Sequence, residues 1–423
     1  MKKWLPILTA ASLLAPLTAF ASGYRIPEQS VNSIALSGAY VAHTPGADAS
    51  YYNPANMTGL ADRWQLAGNI AYINLPKMGY TDNAVPARNG KSKEEQFLIP
   101  HIFAVSPAVN NFRFGLALTT PAGLSKRWQD AFPRISAEDF TLKVMELSPS
   151  VAWQSCEKFS IAGGVRIIRA EGEVRSYGTV PVPGPTTATI RRDLEGETTE
   201  YGYNLAATLK PTQELSLSVT YRSKVNLNLE GDATLWSDAI PAIPLPATTL
   251  SRTASVSVPV PAVLNLAAAY TFDKTTVELT YDKTYWSAYE NLDFNYNAPL
   301  VHPVLVSAFD DAKAKNWSNA NTYRLGVTHK CTDKWTAMLG FAIDENPVPD
   351  NTLGFELPDS DSKIYSIGTR YKYNDNLDVG IAYLYCDKES RSIPAAAANS
   401  SSINGTFDDG GAHMFSLGFQ YNF

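Results

Sequence analysis

The chain has 423 residues, with 35 Lys and Arg against 41 Asp and Glu and a formal net charge of −6. That acidic balance argues against nucleic acid as a partner. Cys156, Cys331 and Cys386 are an odd set at long, irregular spacings, which argues against a disulfide framework or a metal site and leaves free thiols, or at most one bridge.

The chain opens on Met1-Lys2-Lys3, continues with an apolar run from Leu5 to Phe20, and reaches Ala19-Phe20-Ala21, a small-x-small cleavage pattern. This layout predicts a secretory signal peptide over residues 1–21 and a mature chain beginning at Ser22. No later stretch is apolar for about 18 residues, so no transmembrane helix is expected. No Cys closely follows the apolar run, so no lipid anchor is expected either. Residues 22–60 are rich in Gly, Ala, Ser and Asn and contain Pro27, Pro45 and Pro54. They show no alternation and are too polar to cross lipid. Composition leaves two readings open, a periplasmic tail and a plug inside a lumen, where irregular backbone at membrane depth is tolerated.

From about residue 61 to 423 the dominant pattern has period two. Phe112, Phe114, Leu116 and Leu118 alternate with short or polar residues, as do Leu215, Leu217, Val219 and Tyr221. The clearest case ends the chain, where Phe415, Leu417, Phe419, Tyr421 and Phe423 alternate with Ser416, Gly418, Gln420 and Asn422. Alternation gives each strand one apolar and one polar face, which fits a soluble sandwich or a membrane barrel. The export signal, 22 Tyr, 17 Phe and the terminal Phe423 favour the membrane. The expected strands are 63–75, 95–107, 111–120, 141–154, 158–178, 190–210, 214–231, 249–271, 275–295, 317–330, 334–345, 361–373, 376–391 and 406–423. Connections near Asn110, Cys156, Thr212, Asp273, Thr332 and Asp375 are short, and those at 121–140, 179–189, 237–248 and 296–316 are long. The fold class is therefore an all-β membrane protein, a fourteen-stranded antiparallel outer-membrane barrel with both ends periplasmic. Phe419, Tyr421 and Phe423 are the candidate assembly signal for the barrel-assembly machinery.

Several stretches carry a resemblance. Ser22-Gly23-Tyr24-Arg25, Ser37-Gly38-Ala39-Tyr40 and Tyr52-Asn53-Pro54-Ala55 resemble the N-terminus of the FadL-type outer-membrane long-chain fatty acid transporters. So do Tyr221-Arg222-Ser223-Lys224-Val225, Lys334-Trp335-Thr336 and the run from Gly340 through Pro347-Val348-Pro349. The resemblance implies a fourteen-stranded barrel whose N-terminal hatch, residues 22–60, fills the lumen, with Ser22, Gly23, Asn53, Pro54 and Ala55 in the gating segment. It also implies a hydrophobic substrate, a fatty acid or an aromatic or aliphatic hydrocarbon, released sideways into the outer-membrane lipid through an opening at a kinked third strand.

In this chain the third strand meets Thr119-Thr120-Pro121-Ala122-Gly123. Pro cannot donate to a ladder and Gly weakens one, so Thr119, Thr120, Pro121 and Gly123 mark a lateral opening or an ordinary strand end. Arg166, Arg222 and Arg324 fall on polar strand faces and are candidates for holding a substrate carboxylate, since a guanidinium fork matches two oxygens. The plainer reading is lumen arginines paired with Glu or Asp. Position 318, where the family would suggest a basic residue, is Ser, which keeps uncharged hydrocarbons open. There is no Gly-x-Ser-x-Gly, His-Glu-x-x-His or P-loop, so no catalytic residue, metal or cofactor is assigned. A hydrophilic general porin and an outer-membrane lipase are the competing readings. A closed barrel can stand alone, so a monomer is expected.

Overall fold

The structure is a computed structural model that describes residues 23–182, 186–240 and 245–423. The expected signal peptide and Ser22 lie outside the described residues. Among the described residues, fourteen antiparallel strands form the wall. They are β1 Gln65–Leu75, β2 Glu95–Val105, β3 Phe112–Lys126, β4 Asp139–Cys156, β5 Phe159–Val182, β6 Thr186–Leu209, β7 Leu215–Arg222 with Val225–Ser237, β8 Thr248–Val260 with Val263–Phe272, β9 Thr275–Thr284, β10 Ala320–Lys330, β11 Trp335–Asp344, β12 Ser362–Lys372, β13 Leu377–Lys388 and β14 Gly411–Asn422. Each strand pairs with the next, and β14 pairs with β1 from Gln65↔Asn422 to Asn74↔His413, which closes the sheet. Closure satisfies the backbone polar groups that lipid cannot. No described helix is long and apolar enough to cross a membrane.

The six tight connections lie where the sequence suggests them, and Asn110 and Asp273 adopt left-handed φ of 56° and 50° in two of them, a conformation these residue types tolerate. Strand extents differ from the alternation pattern in several places. The expected loop at 179–189 is mostly strand, because β5 runs to Val182 and β6 starts at Thr186. The ninth strand stops at Thr284 rather than 295 and gives way to a 3-10 turn at Trp286–Ala288. β8 is interrupted at Pro261-Ala262, where proline has no N–H for the ladder. Gly405–Asp408, expected at the start of the last strand, instead joins Gly79–Asp82, Gly90–Lys91 and Arg391–Ile393 in a small sheet built from the long loops.

Phe415, Leu417, Phe419 and Tyr421 of β14 are exposed, whereas Met414, Ser416, Gln420 and Asn422 are buried inside. Trp64, Trp153, Trp335 and Phe423 are exposed near the tight turns, where an outer-membrane barrel carries its aromatic girdle. All three cysteines are free.

Residues 23–60 fill the lumen. Helix α1, Val31–Ala35, is capped by Ser30 and wholly buried. It packs against β11–β14, and a 3-10 turn at Pro54–Gly59 packs against β3–β6. The wall is thinned to admit this segment: a Cβ on Gly340 would collide with the backbone of Leu36 and Ser37. Gly38, at φ +77°, turns the chain beside the Arg324 guanidinium, where a side chain would have no room. Glu278 of β9 accepts the backbone N–H groups of Val41, Ala42 and His43 at 2.5, 2.8 and 2.9 Å. Asn53 caps the 3-10 turn through Ala55 N–H and donates to Val41 O and Thr208 Oγ1. Pro54 takes the first position of that turn, where its missing N–H is no loss.

Gly340→Val should unseat residues 31–39 and leave the wall closed. The expected result is a barrel that keeps its heat-modifiable mobility while its N-terminal segment becomes cleavable by added protease. Equal protease resistance in variant and wild type would mean that the segment does not rest on this glycine.

Candidate functional site: a cavity that crosses the wall

β2 pairs with β1 along its whole length, from Gln65↔Val105 to Leu75↔Glu95. On its other side it meets β3 over four residue pairs only, Ile102↔Leu118 to Val105↔Gly115. β3 stays with β4 up to Lys126↔Phe140, but its register shifts between Thr119 and Ala122. This bulge reverses which residues face inward. Arg113, Gly115 and Ala117 are buried below it, and Ala122 and Lys126 above it. Because β3 bends away from β2, its edge above Leu118 has no strand partner in the wall.

The N-terminal segment takes that place. Arg25 lies opposite Ala122 in an antiparallel bridge. Ile26 N–H donates to Pro121 O at 2.9 Å, and Gly123 N–H donates to Tyr24 O at 3.0 Å. The Gln29 carboxamide completes the edge like a peptide group, accepting from Thr120 N–H at 2.7 Å and donating to Thr120 O at 2.9 Å. A single side chain thus satisfies both backbone groups of a residue beside the proline.

Beside this junction lies a cavity of about 590 Å³, within the roughly 300–1,000 Å³ range of small-molecule sites. Its walls include lumen-side Ile26, Ile73, Leu142 and Met414 and also Leu98, Pro100 and Met145. Leu98 and Met145 belong to the outer face, 71% and 48% exposed. The cavity therefore passes from lumen to lipid. It shares Tyr24, Leu124, Leu142 and Leu357 with a smaller apolar pocket of about 60 Å³, where Lys315 is paired with Glu356. Above Tyr24 its ring packs edge-on to Trp286 at 4.6 Å, and Trp286 to Trp317 at 4.9 Å. Gly23, at φ +65°, sits so tightly under both indoles that a Cβ would overlap them.

All three singled-out arginines point into the lumen, and each already holds a carboxylate. Arg166 donates to Glu146 Oε2 through Nε at 2.9 Å and lies 2.8 Å away through Nη2. Arg222 pairs with the other Glu146 oxygen and stacks 4.2 Å over the Tyr51 ring. Arg324 pairs with Asp282 and Glu28, both at 3.0 Å, and donates to Ser37 O at 2.5 Å. Arg324 therefore fastens residues 28–37 to β10. Arg166 and Arg222 come together with Arg25, Tyr51 and Asp282 around a second space of about 50 Å³, which Arg324 does not line. The sequence offered no sign of Glu146, Glu278 or Gln29, whose partners lie 20 to 237 residues away along the chain.

A closed fourteen-stranded wall, apolar outside, with a filled lumen and an apolar passage through one side, defines an outer-membrane transport barrel. The chain belongs to the family described as outer membrane protein transport protein (OMPP1/FadL/TodX), whose model it matches over residues 12–423. It is 24% identical to the long-chain fatty acid transport protein of Escherichia coli O6:H1 across 98% of both chains. It is also 24% identical to that of Salmonella typhi, across 89% of this chain and 91% of the relative. Its fold is similar to that of a Pseudomonas aeruginosa FadL homologue, with a TM-score of 0.82, 20% identity and coverage of 95% of this chain and 100% of the other. The Pseudomonas putida toluene transporter TodX shares the fold at a TM-score of 0.71, with 16% identity and coverage of 94% and 99%.

Glu146→Gln leaves two buried guanidiniums without their shared carboxylate, a loss of about 3–5 kcal/mol for a broken buried pair. The folded band in heat-modifiability gels should disappear at a lower temperature than in wild type. Adding Arg166→Met and Arg222→Met should restore much of the difference, since no buried charge is then left unmatched. An unchanged transition in Glu146→Gln would show that the triad adds nothing to stability.

Proposed function

We propose that this barrel takes hydrophobic compounds, long-chain fatty acids first among them, across the outer membrane and releases them sideways into lipid between β2 and β3. The observation that carries this reading is the cavity whose lining includes both lumen-side and lipid-side residues. An acyl chain gains about 0.8 kcal/mol for each buried methylene, and a route through this cavity keeps it out of water throughout. A general porin needs an open aqueous lumen, and residues 23–60 occupy this one.

In this reading residues 1–21 direct export, residues 22–60 are the hatch and 61–423 the barrel, which works as a monomer and is inserted by the assembly machinery through its last strand and Phe423. Residues 24–29 are the moving part, because Tyr24 to Glu28 line the cavity and Tyr24, Ile26 and Gln29 bond to β3. The Asn53-Pro54-Ala55 turn holds the far end of the hatch in place. Neutral hydrocarbons by the same route are a second reading, favoured by the largely apolar lining.

The test uses the Arg25 and Ala122 pair. Its flanking bonds, Ile26 N–H to Pro121 O and Gly123 N–H to Tyr24 O, make it a non-hydrogen-bonded pair. Such pairs have Cα atoms about 4.5 Å apart, within disulfide range. In a background with the native cysteines replaced by Ser, Arg25→Cys with Ala122→Cys should pin the segment to β3 when oxidised. Uptake of labelled hexadecanoate by cells should fall at least tenfold on oxidation and return on reduction. Equal uptake in both states would rule out movement of this segment as part of the route.

A further inference from the structure

Lys126 stands apart from the other lumen-side cations of the through-wall cavity; Lys143, which also borders it, is exposed on the outer face. It closes β3, and the bulge at Thr119–Ala122 turns its side chain inward. It is only 8% exposed and lines the cavity. Among the described residues it has no ion pair. Neighbouring charges are already matched: Lys388 is paired with Asp359, and Glu95 is held by Arg127 through Nε at 2.7 Å and through Nη2. The cavity's other carboxylates are also engaged, Glu28 by Arg324 and Asp344 by the Thr322 hydroxyl. Arg25, the remaining lumen cation on this cavity, lies 3.4 Å from Asp282. Lys388 with Asp359 and Arg127 with Glu95 are thus paired among themselves, and Lys126 takes part in neither pair.

A buried ammonium without a partner is costly, and this one adjoins a space lined by Ile73, Phe97, Leu142 and Met414. An amphiphile with an anionic head and a long apolar tail satisfies both features at once. We propose that Lys126 is the residue that selects anionic amphiphiles, holding a carboxylate head while the tail lies in the through-wall cavity. This rests on the transport reading above and deepens it by deciding between acids and neutral hydrocarbons. Arg166, Arg222 and Arg324 are spent on Glu146, Asp282 and Glu28, so the head group is not theirs to bind. One charge-assisted contact separates acid from neutral ligand by about ten- to a hundredfold.

The experiment compares hexadecanoic acid with hexadecan-1-ol, which share a tail and differ in the head. Binding of each to the purified full-length barrel in mild detergent is measured by calorimetry. Wild type should prefer the acid at least tenfold. Lys126→Met, close in length and apolar, should bring the ratio to about one by weakening the acid alone, and unchanged alcohol binding certifies that the cavity is intact. Lys126→Arg should keep the preference for the acid. The proposal is overturned if Lys126→Met leaves acid binding unaltered, if acid and alcohol weaken alike, or if Lys126→Arg loses the preference. A wild-type barrel that binds neither ligand overturns the transport reading itself, and this proposal with it. Tight binding of the alcohol with no preference for the acid overturns only the role of Lys126.

Discussion

Every backbone N–H and C=O at membrane depth has to find a partner within the protein, and the rest of this structure follows from how one stretch of strand meets that demand. Thirteen of the fourteen seams in the wall are made by strands pairing with neighbours over most of their paired height. The seam between β2 and β3 is made over four residue pairs. Above it, the donors and acceptors of Thr120, Pro121 and Gly123 are satisfied from inside the lumen by Tyr24, Ile26 and Gln29. A hole in a membrane wall normally exposes a raw strand edge. Here the edge is dressed by a segment that is not itself part of the wall.

The N-terminal segment is held by charge as much as by packing. Arg324 reaches it through Glu28 and Ser37 O, and Glu278 reaches it through three consecutive N–H groups. These groups are buried, so each would be costly alone and is stable only in company. The anchors lie on β9 and β10, across the lumen from β3, while residues 24–29 meet β3 through backbone hydrogen bonds and one carboxamide. Residues 24–29 carry both kinds of attachment: Arg25 and Glu28 pair with Asp282 and Arg324, while Tyr24, Ile26 and Gln29 bond to β3. In the proposed route, movement of residues 24–29 has to loosen the Arg25–Asp282 and Glu28–Arg324 pairs as well as the bonds to β3.

The barrel was largely legible in the sequence because period-two alternation is a local signal that each strand carries on its own. Phe415 to Phe423 face outward as their spacing suggests, and the tight turns fall at Asn110 and Asp273. The break at Thr119-Thr120-Pro121 was legible as a break, but its form was not. A one-residue bulge reverses the facing beyond it, so the residues above, Ala122 and Lys126, no longer keep the phase of Phe112 to Leu118. A reader following that phase stops the strand at 120 and never asks where Lys126 points. The interruptions at Ser223-Lys224 in β7 and Pro261-Ala262 in β8 left no such mark, since alternation resumes beyond them and the expected strands 214–231 and 249–271 run through both. The arginines could be placed on inner faces by parity, but their carboxylates could not be named. Glu146 meets Arg222 from 76 residues away, and Glu28 meets Arg324 from 296. Such pairings are set by closure of the whole barrel, and no local pattern encodes them.

The geometry at β3 joins two requirements that a lateral channel would otherwise meet separately. Tyr24, Ile26 and Pro27 line the cavity, and the backbone of the same stretch completes the β3 edge. A ligand that displaces these residues from the cavity also withdraws two backbone hydrogen bonds from Pro121 and Gly123, and Gln29 follows if the shift reaches it. Each such bond is worth about 0.5–1.5 kcal/mol net when water can replace it, and more when nothing can. Displacement without a ligand would therefore leave bare polar groups facing lipid. With an acyl chain filling the space, burial at about 0.8 kcal/mol per methylene would offset the loss of these backbone bonds after only a few methylenes. In the proposed route, occupation by a long tail and release of the β3 edge would thus be coupled through the same few residues.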